Sequence, residues 1–298
     1  MKKFAVYTAS IGGYDEIHQP LAVDDRFDYI FFSDEVVADK VGVWQIRKIE
    51  YKNADKTRIA RYVKTHPEEL LPKYKATLWI DASIFITSKF IYDKVIELFD
   101  EDVLFASVRH PYRDCIYDEA YMVYGLDSED IIFNWCHFLR SINYPRHNGL
   151  YESSIVYRLN CSNVKIVDDE WWNCIQSYSR RDQLSLNYVL WKNQIRQSYL
   201  LPVGEHMANS PNIKVQKHTR VSLDKGRRNL NQSFFEHTRC RCRVGVIEKQ
   251  SQFMDFHYWL YGLNIFIAKF FLFIWGWCAT IVYGPIIKLR ANEKRKRK

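Results

Sequence analysis

An α/β layered domain is the fold class this sequence predicts, followed by an apolar helical segment with a basic tail. Three observations lead there. Short apolar runs rich in β-branched and aromatic residues alternate with stretches of helical periodicity over roughly the first two hundred residues. Several of those runs stop at a carboxylate or a glycine turn, as strands of an open sheet do at their carboxyl edge. The last sixty or so residues change character, to an apolar, aromatic stretch and then a run of Lys and Arg.

Residues 4–9 read as a short buried strand, and Ile11-Gly12-Gly13-Tyr14-Asp15 as the loop after it. Residues 29–33 form a second strand ending at Asp34, and residues 43–49 a third. Residues 56–64 have helical character. The run Ala76-Thr77-Leu78-Trp79-Ile80 is a buried strand that delivers Asp81 to the sheet edge. An amphipathic helix over 91–99, a strand over 103–108 and a strand over 149–158 follow. Helices are expected over 128–142, with Asp127-Ser128 able to cap the start, and over 182–192. Residues 195–201 read as a late strand closed by Pro202, and residues 209–232 as polar loop. The expected division is a domain over 1–235 and a membrane-associating segment over 236–298.

Composition allows a substantial core, with 47% hydrophobic and 16% aromatic residues among 298. The net charge of +8 comes mostly from the tail, where seven of the last eleven residues are basic and one is acidic. The body is therefore near neutral, and nucleic acid is not an expected partner. Seven scattered cysteines form no zinc-type spacing and read as reduced thiols. Residues 270–287 hold 18 residues without a charge, just short of the about 20 that a full span needs. The polybasic residues beside them attract anionic lipid by roughly 1 kcal/mol each. A basic tail stays on the cytoplasmic side. A re-entrant or in-plane anchor then keeps the domain there too, so the expected location is the cytoplasmic face of a membrane.

Four groups of residues can carry chemistry. Asp81 and Ser83 lie on one turn and can share a Mg²⁺ or Mn²⁺ ion that in turn holds a diphosphate. Arg58, Arg61 and Lys64 follow one another at helical spacing and can form a cationic wall for phosphates. Asp182-Gln183 offers a carboxylate and an amide at a helix start, near Trp171 and Trp172. That suits recognition of sugar hydroxyls or of an oxocarbenium-like centre, and a plain N-cap equally fits Asp182. His218, in Val215-Gln216-Lys217-His218, can complete a metal site begun by Asp81. His110 and Arg113, after a strand end, are candidates for lining an acceptor cleft.

Taken in order, Tyr7-Thr8-Ala9 with Gly12-Gly13-Tyr14-Asp15, Asp28-Tyr29-Ile30 with Ser33-Asp34, Trp79-Ile80-Asp81, Tyr117-Asp118-Glu119-Ala120, Gly149-Leu150-Tyr151-Glu152, Trp171-Trp172, Arg181-Asp182-Gln183 and Val215-Gln216-Lys217-His218 resemble a known family. It is the TOD/MUCI-type glycosyltransferase-like domain of bacterial surface-polysaccharide clusters and plant Golgi proteins. The strand through Asp81 and the helix start at Asp182 are also distantly similar to the glycogenin-like retaining transferases. Ser83 stands where those have a second aspartate, and Leu184 where they have a further acid. The resemblance implies a GT-A fold and a nucleotide-sugar donor. It would assign Thr8, Ala9 and Asp34 to the nucleotide, Asp81 and His218 to the metal, and Asp182 and Gln183 to the reacting sugar. Glu152 joins the last two in orienting the acceptor or the anomeric centre. The expected function is transfer of a sugar to a polysaccharide, oligosaccharide or glycolipid, with retention favoured. A membrane-lipid hydrolase and a non-catalytic scaffold of a polysaccharide assembly complex are the rivals. The hydrolase would want a ligand cluster such as HExxH, which the sequence lacks.

Overall fold

The computed structural model describes residues 2–123, 127–216 and 274. His218 and the apolar segment with its basic tail, and with them the expected boundary at 235, lie outside the described residues apart from Ile274. No helix among the described residues is long and apolar enough to cross a membrane.

The elements, in chain order, are β1 (Phe4–Ser10), β2 (Phe27–Ser33), β3 (Lys40–Val41), β4 (Trp44–Arg47), α1 (Lys56–Thr65), α2 (Pro67–Leu70), β5 (Ala76–Ile80), β6 (Ile84–Ile86), α3 (Phe90–Asp100), β7 (Phe105–Arg109), α4 (Ile116–Met122), α5 (Glu129–Ser141), β8 (Tyr151–Leu159), α6 (Ser162–Ser177), α7 (Gln183–Lys192), β9 (Ser198–Tyr199) and β10 (Ile213–Val215). The chain divides into two compact units. Among the described residues, one comprises 2–116 and 147–216 and the other 117–123, 127–146 and 274.

The first unit is built on an eight-stranded mixed sheet in the order β3-β4-β2-β1-β5-β8-β7-β9. β2, β1 and β5 run parallel, and β8 is antiparallel to both β5 and β7. The carboxyl ends of β1, β2, β5 and β7 thus share one edge with the amino end of β8. β1 and β5 are buried along their whole length, as strands covered on both faces are. Alternation sorts the side chains. Phe4, Val6, Phe27, Tyr29, Phe31, Leu78 and Ile80 join Ile91, Tyr92, Val95 and Leu98 of α3 in one core. Tyr7 and Trp79 point to the opposite face and meet edge to face at 5.2 Å. That face is covered by α1, which packs against β1 and α6, and by α7, which packs against α6 and β8. The expected α/β class, a mixed sheet flanked by helices, is the one observed.

The short elements β3, α2, β6 and α4 were not expected, and three larger features differ from the sequence expectations as well. α6 was not expected as a helix, and it carries Trp171 and Trp172 in its last turns. The late strand is only two residues long. The polar loop after 209 contains β10, which pairs antiparallel with β6. Cys115, Cys136, Cys161 and Cys174 are free thiols.

In the second unit, Ser128 caps α5, its Oγ accepting from Ile131 N at 3.3 Å. Arg140 of α5 lies over the Tyr117 ring, and Tyr117 donates to the Tyr144 carbonyl at 3.0 Å.

Candidate active site

The site forms at the carboxyl edge of the sheet, where β5 ends at Asp81 and β8 begins. Pairing between β7 and β8 breaks there. Val108 stands opposite Glu152 and Ser107 opposite Val156, so Ser153, Ser154 and Ile155 intervene. Such a bulge bends a strand and re-aims its side chains. Ser107 Oγ anchors it by donating to the Ile155 carbonyl at 2.6 Å. The Ser154 carbonyl accepts from Asp81 N at 2.8 Å, and Ser153 Oγ donates to Asp182 Oδ2 at 2.9 Å. One irregularity in β8 therefore fixes both the turn that carries Asp81 and the helix start that carries Asp182.

Two carboxylates and two cations meet at this point. Lys64 of α1 is fully buried. Its Nζ lies 2.5 Å from Asp182 Oδ2 and 3.6 Å from Asp81 Oδ1. Arg61 Nε lies 2.9 Å from Asp182 Oδ1, an ion pair out of line for a hydrogen bond. The Trp79 indole donates to Asp81 Oδ1 at 2.7 Å, and the Trp171 indole to the Asp182 carbonyl at 2.8 Å. The Lys64 ammonium also lies 5.5 Å from the Trp79 ring and 5.7 Å from the Trp171 ring.

Burial works against the Asp182 carboxylate. Arg61 and Lys64 outweigh it and hold the carboxyl well below the usual range. Burial likewise opposes the Arg61 charge, and Asp182 and Asp81 outweigh it, so its pKa is raised. Burial draws the Lys64 ammonium down in pKa, opposed by the two carboxylates beside it. The 2.5 Å contact is a direct ammonium–carboxylate pair.

The expected residues fall into distinct places. Arg61, Lys64, Asp81 and Asp182 come together. Arg58 does not join them. Its Nη1 pairs with Asp55 at 3.0 Å and its Nε donates to the Ile175 carbonyl at 3.3 Å. The reason is angular, because six residues of helix place Arg58 and Lys64 about 120° apart. Trp171 is fully buried and supports Asp182 from behind. Trp172 is buried too, packed against Tyr51, Tyr62 and His66. Neither indole is an open platform for a sugar ring, as cleft-lining residues would be. Gln183 donates to the Tyr151 carbonyl at 3.1 Å, and Glu152 lies half-buried at the start of β8. Ser83 is buried, and its carbonyl accepts from Gln216 N.

Of the residues expected to meet a nucleotide, Thr8 and Ala9 are buried near the end of β1, with Thr8 Oγ1 unpartnered among the described residues. Asp34 is exposed and accepts from Gly12 N at 2.8 Å, which pins the glycine loop to the end of β2. Gly12 has φ +65°, and a Cβ there would stand 2.3 Å from Lys56 Nζ. His110, at the end of β7, accepts from Arg113 N at 3.0 Å. Burial, with the charges of Arg113 and His206, pushes its pKa down to about 4.

Ser153 and Trp79 are residues of this cluster that sequence reasoning missed. Ser153 carries no sequence signal. Trp79 has one, since it lies two residues before Asp81 on the same face of the strand.

The described residues do not fit the expected divalent-cation site. Asp81 is the lone acid of its turn, and its Oδ1 already accepts from an indole and faces an ammonium. The neighbouring carboxylate, Asp182, is committed to two cations.

Two solved structures that are similar to the chain illustrate what it resembles. One is WbbM, a bifunctional glycosyltransferase in its apo form, at 11% identity and a TM-score of 0.40, covering 66% of this chain and 38% of that one. Another is a glycosyltransferase involved in glycosylation of the major capsid of PBCV-1, at 12% identity and a TM-score of 0.31, covering 52% of this chain and 64% of that one. The chain thus spans less than two thirds of either. No curated protein matches. The family model described as TOD1/MUCI70, glycosyltransferase-like domain, matches residues 1–208, and the chain belongs to that family.

Proposed function

We propose that this protein moves a sugar from a nucleotide diphosphate donor onto a glycan or glycolipid acceptor, in a GT-A-type arrangement. The observation that carries the reading is the meeting of Asp81, Lys64, Asp182 and Arg61 at the carboxyl edge, within a glycosyltransferase-like domain. Open α/β sheets bind ligands at that edge. In the transfer, the bond from the anomeric carbon to the diphosphate oxygen breaks and its electron pair leaves with the diphosphate. The acceptor oxygen bonds to the anomeric carbon, and its proton passes to solvent. Arg61 offers positive charge to the departing diphosphate, the electrostatic role that fixed donors play best in a dry site. Asp182 and Lys64 hold that charge in place, and Asp81 is positioned by Trp79 and the Ser154 carbonyl to face the donor. Retention of the anomeric configuration is the stereochemistry we assign, and the anomeric coupling constant of the product reads it.

A panel of nucleotide sugars tests the function, with one donor expected to be consumed and Asp81→Asn expected to stop turnover without lowering the melting temperature. Absence of turnover and of binding across the full panel would sink the transferase reading in favour of a scaffold. We assign the segment over 258–287 and its basic tail to an anionic membrane surface on the cytoplasmic side. Deleting residues 253–298 should then release the protein from vesicles containing anionic lipid. Continued sedimentation with them would refute the assignment.

A further inference from the structure

The charge balance of the site bears on how a diphosphate is received. Asp81, Asp182, Lys64 and Arg61 carry two negative and two positive charges, so the cluster offers a divalent cation no net attraction. Lys64, fully buried, already supplies a cation 3.6 Å from Asp81 Oδ1. A metal ion on Asp81 would stand beside that ammonium and be repelled by it.

Further positive charge stands at the same edge. Arg61 is paired with Asp182 through Nε, while the terminal nitrogens of its guanidinium make no hydrogen bond among the described residues and the side chain is 19% exposed. A guanidinium paired through Nε leaves its other two nitrogens for phosphate oxygens, which its planar fork suits. Lys56, at the start of α1, is exposed and likewise makes no ion pair among the described residues. Its Nζ stands over Gly12, 2.3 Å from where a Cβ would lie, and the φ of +65° there favours glycine. Lys56 and Arg61 both belong to α1, about 7.5 Å apart along its axis, with Lys56 toward the glycine loop and Arg61 toward Asp182.

We propose that the diphosphate is received by the side-chain cations Arg61 and Lys56 alone, and that donor binding requires no divalent cation held by the protein. This rests on the transferase reading above and concerns how the leaving group is met. Asp182 is then a positioning residue, which aims Arg61, rather than a group at the reacting sugar. Asp81 is likewise screened by Lys64 and is not a metal ligand.

The test is calorimetric titration of the full chain with a panel of nucleoside diphosphates, in excess EDTA and in excess Mn²⁺. One of them is expected to bind in EDTA with a Kd within about threefold of that in Mn²⁺. Arg61→Gln and Lys56→Gln should each weaken binding in EDTA by about tenfold, the loss expected of one charge-assisted contact. Lys56 is exposed, so its variant keeps the test sound if Arg61→Gln unfolds. Binding that appears only with Mn²⁺, or that neither variant weakens, overturns the inference and leaves the transferase reading standing. A protein that binds no nucleoside diphosphate under either condition defeats the transferase reading, and the inference with it.

Discussion

Asp182→Ala removes the shared partner of two cations. Asp182 and Lys64 are both buried, at 5% and 0% side-chain exposure, so neither is rescued by water. After the substitution Lys64 retains only Asp81, at 3.6 Å through the oxygen that already accepts from Trp79. Ser153 Oγ loses its acceptor as well. Breaking one side of a buried pair costs about 3–5 kcal/mol. For a unit of this size each kcal/mol lowers Tm by about 2–4 °C, so a fall of about 10 °C is expected. The assay is thermal unfolding followed by circular dichroism at neutral pH, with Asp182→Leu/Lys64→Met beside the single variants. The double variant replaces the pair by apolar groups, which is often close to neutral, and Arg61 can turn toward solvent. It should recover most of the lost Tm. A single variant that melts within about 2 °C of the parent, or a double variant whose loss is the sum of the singles, would refute the coupling. The pH dependence has a definite sign. Arg61 and Lys64 hold the Asp182 carboxyl below its unfolded value of about 3.9, so its contribution is fully present above that pH. It is lost as pH falls further, and the parent and Asp182→Asn should therefore converge in acid.

Other expectations follow from the same geometry. His110 is pushed down to about 4, so its neutral form contributes stability above about 6.5 that is lost as pH falls toward 4. Its imidazole resonances should therefore not titrate near neutrality, and an NMR midpoint above 6 would contradict the burial described. Gly12→Ala places a Cβ at φ +65° against Lys56, which should cost about 1–2 kcal/mol in urea unfolding and weaken nucleoside diphosphate binding. Unchanged binding would separate Lys56 from the donor site. Asn187→Ala leaves the buried Tyr151 N–H, now bonded at 2.8 Å, without an acceptor, for a loss of about 1–3 kcal/mol read by chemical denaturation.

The strand ends were legible because burial on both faces writes a continuous apolar run, and Asp81 stands where that run stops. α1, α3, α5 and α7 were legible as helical stretches, helped in α5 by the cap at Ser128. α6 hid for a physical reason. Asp168 sits in the middle of its apolar face, and what makes that tolerable is Arg158, on β8, 2.8 Å away and also buried. A contact between two elements cannot be seen in the periodicity of one. The same holds at the site. Asp182 and Lys64 are 118 positions apart, so the sequence shows two charged residues and no pair. Arg58 was grouped with Lys64 because consecutive steps of three look alike, while the offset they accumulate carries it off that face. Ser153 becomes a site residue only through the bulge in β8.

The small ribbon of β6 and β10 has a practical bearing on where the folded part of this chain can be cut. β6 begins one residue after Ser83, and Gln216 N closes the ribbon on the Ser83 carbonyl at 2.8 Å. The family match stops at residue 208, before β10 begins. A protein trimmed to that boundary would keep every charged residue of the site and lose the strand that clamps the turn beneath Asp81. Inactivity of such a fragment would therefore say nothing against the residues it retains, and any cut for work on the isolated domain belongs beyond β10.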